Sequence, residues 1–269
     1  MAGLRMKRRI IQTMSLLGLH ASWGPEFKWL CNPVLSCHSC ALSWFACPIG
    51  VYTQYAGLHL WPWLALGTVI LAGVLVGRLL CGWVCPFGFI QDLLYKLPSR
   101  KFSLPASTSY IKYGILALLV ITLPFWRGGH TMASFCRVCP AATLQVTLPE
   151  WVRGGFAALS WASMMRLSVL AIVLALAVFS SRSFCRAFCP IGAILAPFNH
   201  ISFWKVHAPE SCVHCNRCNR ACLVNGRPAE RIAVGLPANR HQDCIVCHEC
   251  QSACPDLRKK QKLVVAKEE

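Results

Sequence analysis

Residues 81–88 read CGWVCPFG, and residues 185–192 read CRAFCPIG. One pattern, C-x3-C-P-x-G, thus occurs at Cys81–Gly88 and again at Cys185–Gly192, each time after an apolar segment. Cys47-Pro48-Ile49-Gly50 repeats its second half, and Cys139-Pro140 repeats the Cys-Pro step without the glycine. The chain reads as apolar segment, outer Cys-Pro, apolar segment, inner C-x3-C-P-x-G, performed twice. Proline has no N–H and can begin a helix directly after its cysteine. Cysteines four apart can share a helical face. Two such halves, related by a pseudo-twofold axis, would gather Cys81, Cys85, Cys185 and Cys189 into a four-thiolate metal site on the inner face.

The composition around these motifs is unusual. Of 269 residues, 55% are hydrophobic and only 14% charged, against ~25% charged in soluble domains. Mean hydropathy is +0.48. There are 18 cysteines, in a chain far too long for a disulfide mini-protein. These values exclude a disordered chain, a plain soluble enzyme and a charge-rich nucleic-acid binder. They leave a membrane protein with metal or redox chemistry.

From Trp29 to Gly77 there is no Asp, Glu, Lys or Arg. Within that stretch Leu58–Gly77 is apolar and is stopped by Arg78, and at ~1.5 Å per residue it matches a bilayer core of ~30 Å. Ile10–Pro25, Ser107–Trp126 and Ala157–Ser181 supply three further candidate spans. Lys112 lies near an end of its span, where it can snorkel. Met1–Gly24 has the charge and apolar order of a signal peptide, and is read as an uncleaved anchor because the chain retains Met1. Four spans put both termini on one side. That side then carries all 27 Lys and Arg except Lys28, Arg127, Arg137, Arg153 and Arg166, which makes it cytoplasmic. The net charge of +17 is in part this topology signal. Trp23, Trp29, Trp44, Trp61, Trp63, Trp126, Trp151 and Trp161 fall near outer span ends, as an interfacial belt does.

The C-terminal region carries Cys212-x2-Cys215-x2-Cys218-x3-Cys222 and Cys244-x2-Cys247-x2-Cys250-x3-Cys254-Pro255. This is the spacing of a two-cluster bacterial ferredoxin, where the fourth cysteine of each run serves the other cube. It predicts one [4Fe–4S] cluster on Cys212, Cys215, Cys218 and Cys254, and a second on Cys222, Cys244, Cys247 and Cys250. Zinc prefers paired C-x2-C groups, and a cytoplasmic side disfavours disulfides. Leu223 stands where the pattern usually has proline. Arg217, Arg220, Arg227, Arg231 and Arg240 either offset cluster charge or form a basic surface towards anionic lipid. The inner cysteines are expected to hold a third cluster. Cys37, Cys40, Cys47, Cys136 and Cys139 form an outer set one thiol larger than a fourth cluster needs; a disulfide relay and a structural site are its alternatives. Cys31 has no assigned role.

With these motifs the chain resembles the membrane ferredoxin-type component of periplasmic nitrate reductase systems, NapH, and the related NosR, MauN and CcoG-type proteins. The resemblance covers nearly the whole chain and is most specific at Cys81–Gly88, Cys185–Gly192 and Cys212–Pro255. It implies four membrane helices in a prokaryotic inner membrane, cytoplasmic clusters, and a quinol dehydrogenase-like transfer of electrons between quinone and a periplasmic redox partner. The outer cysteines depart from a simple nitrate-reductase component and suggest a wire to the outer face.

The expected fold is mostly α: a four-helix transmembrane bundle of two pseudo-repeats over residues 1–205, then a ferredoxin-like domain over residues 206–269. The expected function is that of an electron-transfer subunit in a hetero-oligomeric respiratory oxidoreductase complex, with no nucleic-acid partner. The alternative is a maturation factor that reduces a metal or cofactor of a respiratory enzyme. Transport has little support, since no span carries an ionisable pair. No nucleophile–base pair, phosphate loop or carboxylate dyad is present. His59, and His20 within a span, are candidate quinone contacts, although a histidine at a span end is more often simply interfacial. His38 and His130 lie beside the outer cysteines as candidate ligands.

Overall fold

The computed structural model describes the chain except residues 1, 21–26, 38, 40–42, 130, 132–133, 155–159, 207–208, 210–211 and 258–269. The described part is mostly helical, with one short parallel strand pair, Phe27–Cys31 and Phe45–Ala46. Two helices are long and apolar enough to cross a membrane, Ala106–Arg127 and Trp161–Phe179. Both leave most of their length uncovered. Their outward faces carry Ile111, Leu118, Ile121 and Phe125, and Met164 and Ile172. Trp126 and Trp161, at one end of each, are more than 80% exposed. Such an apolar, tryptophan-tipped surface belongs against lipid.

The other two expected spans differ. Leu58–Gly77 is not one helix: the helical part is Trp63–Val76, 14 residues, or about 21 Å at 1.5 Å per residue. Pro62 disfavours helical backbone in Trp61. At the other end Gly77 adopts φ +60, and a Cβ there would sit 2.6 Å from Asn199 Oδ1. The N-terminal helix is Ala2–His20, starting well before Ile10. Its Gln12 donates to the Gly82 carbonyl at 3.0 Å and Ser15 to that of Val84 at 2.6 Å. That half is packed along the first C-x3-C turn.

Two proline-bearing helices widen into π-helical turns, Leu116–Thr122 and Thr143–Thr147. In both, a Leu-Pro step follows directly, at Pro124 and Pro149. Proline lacks the N–H and crowds the carbonyl four residues back, so a wider turn relieves both problems. Lys112 does not snorkel. It is fully buried and pairs with Asp243 at 2.5 Å. The core of Ile49, Val69, Phe87, Val120, Ala141, Ile191, Leu195 and Ile245 is one continuous cluster from the membrane helices into the C-terminal cysteine region. A smaller cluster of Val206, Ala238 and Val246 sits within that region.

Candidate metal centres

Cys47, Cys85, Cys139 and Cys189 each have extended backbone, with ψ of 124, 115, 121 and 115, and each is followed by a proline that starts a helix. Every sulfur therefore sits at a helix N-terminus, where backbone N–H groups lack partners. Gly192 N–H points at Cys189 Sγ, 3.5 Å away. Gly50, Gly88 and Ala142 stand in the same relation to Cys47, Cys85 and Cys139. These N–H groups favour thiolate, but burial outweighs them and pushes all four thiols up.

On the inner side Cys81 lies in the short helix Leu79–Trp83 and Cys185 in Ser183–Ala187. The members of a C-x3-C pair are thus on successive helices, not on one face, because each proline restarts the chain. All four inner thiols are buried, and Cys189 feels the charge of Cys185, Cys81 and Cys85 together. Gln91 Nε2 donates to Cys185 Sγ at 3.2 Å. Two arginines close the site. Arg78 Nη2 donates to the Cys185 carbonyl at 3.0 Å, and Arg182 Nη1 to the Cys81 carbonyl at 2.8 Å. Arg182 also grips Asp92 through Nε at 2.7 Å and Nη2 at 2.6 Å. Burial alone would raise the Asp92 pKa, but Arg182 and Arg8 hold it below the usual carboxylate range.

The two C-terminal runs fold alike. The residues flanking the second cysteine are left-handed in both: His214 (φ 48) and Asn216 (φ 54), then Val246 (φ 50) and His248 (φ 60). A β-branched valine there is strained, and the turn aims its N–H at Cys244 Sγ, 3.4 Å away. Such turns wrap backbone donors around an anionic centre. Cys212, Cys215, Cys218 and Cys254 line one tight cavity of 40 Å³, which Cys250 also touches. Cys222, Cys244, Cys247 and Cys250 line another of 20 Å³. Burial and the neighbouring thiols push Cys244 up to about 12; burial pushes Cys247 up to about 11. The protein alone therefore keeps these groups as thiols, and an iron–sulfur cluster would hold them as thiolates. Grouped thiols, wholly buried at the inner set and partly exposed in the C-terminal runs, held by strained or proline-started turns, suit [4Fe–4S] cubes. Among the described residues no three His, Cys, Asp or Glu side chains converge as ligands of a single ion. A cube keeps its four thiolates at separate corners.

The C-terminal unit docks onto the inner site. The Gly82 Cα approaches the Ile245 carbonyl so closely that a Cβ would lie 2.2 Å from its oxygen. Trp83 Nε1 donates to the Val246 carbonyl at 3.0 Å. Asn199 donates to the carbonyls of His241 and Cys244, at 2.9 and 2.7 Å, and accepts from the Arg78 N–H. Asp243 joins Lys112, Ser109 and, at 3.7 Å, Arg186. Arg8 spans Asp92, Glu249 and the Gly82 carbonyl. Of the arginines in or between the cysteine runs, Arg231 and Arg240 serve backbone carbonyls, and Arg217, Arg220 and Arg227 are exposed.

On the outer side Cys37, Cys47, Cys136 and Cys139 line one cavity of 460 Å³. Cys139 feels Cys47, Cys136 and Cys37. Gln145 Oε1 accepts the Cys37 N–H at 2.6 Å, and Thr53 lies 3.8 Å from Cys136 Sγ. Cys31 is buried next to Tyr52 and does not line the cavity. Cys40, His38 and His130 lie outside the described residues, as does the side chain of His20. His59 is exposed, its ring edge-on to Phe125 with centroids 4.3 Å apart.

Arg78 and Arg182 were not singled out by the sequence reading, which counted them only as charges. The signal was present: each stands three residues before the first cysteine of its repeat.

Comparison with known proteins follows the same repeat. A family profile described as a 4Fe-4S binding domain matches residues 58–105 and again 162–209, with Cys81 and Cys185 at the same place in each match. The C-terminal cysteine runs lie beyond both. The chain is 29% identical over 199 residues to an uncharacterized protein of Methanocaldococcus jannaschii, covering 70% of this chain and 74% of that one. It is 27% identical over 228 residues to the methylamine utilization ferredoxin-type protein MauN of Methylobacillus flagellatus, covering 81% and 75%. It is 28% identical over 189 residues to the regulatory protein NosR of Pseudomonas aeruginosa, where it covers 68% of this chain but only 25% of NosR. No solved structure matches.

Proposed function

The chain belongs to the ferredoxin-type family of NapH, NosR and MauN, and on that premise we propose that it is a membrane-embedded iron–sulfur electron-transfer subunit. It is a ferredoxin-type protein with 4Fe-4S binding regions. In the proposed arrangement residues 1–205 form a four-span bundle with both termini cytoplasmic, and residues 206–269 form a ferredoxin-like unit beneath it. Cys212, Cys215, Cys218 and Cys254 would hold one cluster, and Cys222, Cys244, Cys247 and Cys250 the second. Cys81, Cys85, Cys185 and Cys189 would hold a third, and four of Cys37, Cys40, Cys47, Cys136 and Cys139 a fourth. Each cluster, when bound, supplies reversible one-electron storage.

The residues of the chain supply spacing and insulation. The observation that carries the reading is the backbone abutment of Cys81-Gly82 on Cys244-Ile245, so that neighbouring thiol sets share a dry contact. At the far end the outer cavity would exchange electrons with quinone or with a periplasmic oxidoreductase of the same complex, and His59 would meet a quinone headgroup at that interface.

Iron and sulfide content with EPR on anaerobically purified protein tests this. About 16 Fe per chain is expected for four cubes. About 8 Fe would leave only the C-terminal pair and would end the through-membrane relay.

A further inference from the structure

Arg78 and Arg182 exchange places across the two repeats. Each donates to the carbonyl of the first cysteine of the other half, Arg78 to Cys185 and Arg182 to Cys81. Each also crosses the glycine that ends the other half's motif. A Cβ on Gly192 would lie 2.8 Å from Arg78 Nη2, and one on Gly88 2.0 Å from Arg182 Nη1. Both side chains are at most 1% exposed.

Their charges are balanced differently. Arg182 is neutralised by a two-point ion pair with Asp92. Among the described residues Arg78 has no hydrogen-bonded carboxylate and its buried Nε has no hydrogen-bond partner; its Nη groups go to the carbonyls of Gln242 and Cys185. Asp243, the nearby carboxylate, is engaged by Lys112 and Ser109. The Arg78 charge acts first on Cys81, then on this shared Asp243, then on Cys189 and Cys185. One carboxylate shared with Lys112 and Arg186 leaves Arg78 only partly balanced, and a buried cation that is not balanced is costly, so the inner thiol site is where the rest of its counter-charge belongs.

We propose that the two arginines form a reciprocal clamp on the inner thiol site, in which Arg182 fixes the geometry and Arg78 supplies the partly compensated positive charge that raises the site's reduction potential. The inference rests on the reading that Cys81, Cys85, Cys185 and Cys189 ligate a cluster. One-electron reduction there adds one unit of negative charge, the electron coming from a neighbouring iron–sulfur centre. A fixed cation in a low-dielectric setting stabilises that added charge. Arg78 is a positioning and tuning residue, since it acts through the ligand shell. It also acts on Cys244, so it lies between the inner set and the nearer C-terminal set.

The test is an EPR-monitored redox titration of the anaerobically purified full chain, with iron content measured alongside. Arg78→Gln is expected to keep its iron and to move one midpoint in the negative direction. Arg78→Lys, which keeps the charge, should restore most of that shift. The proposal is overturned if Arg78→Gln retains the third signal at an unchanged midpoint, or if Arg78→Lys shifts as far as Arg78→Gln. A wild-type protein with only about 8 Fe and no third signal would instead overturn the reading beneath it, before any variant is compared.

Discussion

At the inner site Pro86 and Pro190 begin helices behind Cys85 and Cys189; at the outer site Pro48 and Pro140 do the same behind Cys47 and Cys139. The surroundings of the two sites differ. The inner thiols are sealed under two buried arginines and a docked C-terminal unit. The outer thiols line an open cavity of 460 Å³, whose described lining has arginines, Arg137 and Arg166, that are only partly buried. The lesson is a division of labour. A two-residue local device aims a thiol, and the tertiary environment decides what charge and solvent that thiol meets. One motif can then serve two centres of different potential, the inner one raised by its guanidinium.

The sharpest way to break this comparison is to remove one thiol on each side. Cys189→Ser and Cys139→Ser should each cost about four of about 16 iron atoms per chain, read by iron analysis and by the loss of one EPR signal. Unchanged iron in Cys139→Ser would leave the outer set as a structural or disulfide site and dissolve the parallel. Next in size is Asp243→Asn. It leaves Lys112, fully buried, without its counter-ion, and breaking a buried pair costs about 3–5 kcal/mol. The melting temperature in detergent should fall steeply, while the outer signal stays intact. Loss of the outer signal as well would mean that the two sites are not independent.

Much of this was legible in the sequence, and the failures share a cause. The Cys-Pro helix starts follow from proline's missing N–H, a property of two adjacent residues, and the C-terminal loops follow from a spacing. Within Leu58–Gly77 the helix is shorter than the apolar run, Trp63–Val76, because hydropathy alone does not register Trp61-Pro62 or the positive φ of Gly77. Lys112 was expected to snorkel because its partner, Asp243, is 131 residues away. Arg78 and Arg182 passed as topology charges because their targets belong to the opposite repeat. Local rules found the ligand positions; the groups that balance them are tertiary.

Glycine at the motif's end sharpens the comparison on a smaller scale. Gly88 and Gly192 stand where a guanidinium passes, whereas the two outer motifs carry Gly50 in one half and Ala142 in the other. Gly88→Ala should therefore cost about 1–3 kcal/mol through overpacking against a pinned Arg182, and its melting temperature should drop. The reverse change outside, Ala142→Gly, should cost about 0.5–1 kcal/mol, the ordinary penalty of glycine in a helix. Equal effects would show that the arginine, and not the helix start, is irrelevant to the choice of residue.

The smallest expected effect is a pH dependence confined to the inner side. His241, which lies against the docking contact, has its pKa lowered to about 4 by burial and then by the Arg231 charge. Its Nδ1 accepts the Asp243 N–H at 3.1 Å, so the folded protein holds it neutral. Between that value and the ordinary 6.5, the unfolded chain binds a proton that the folded chain refuses. Stability is then full above this window and declines as pH falls through it. Each 1 kcal/mol lost should lower the melting temperature by about 2–4 °C. A His241→Gln variant should lose less between pH 7.5 and pH 5 than the parent does. Among the described residues the outer cavity is lined by no Asp, Glu or His, so its EPR signal should not follow that decline. If His241→Gln kept the full pH dependence, the acid sensitivity would have to lie in the carboxylates, Asp92 and Asp243. Arginine and lysine partners hold both below their usual range, so their contribution is lost only at still lower pH.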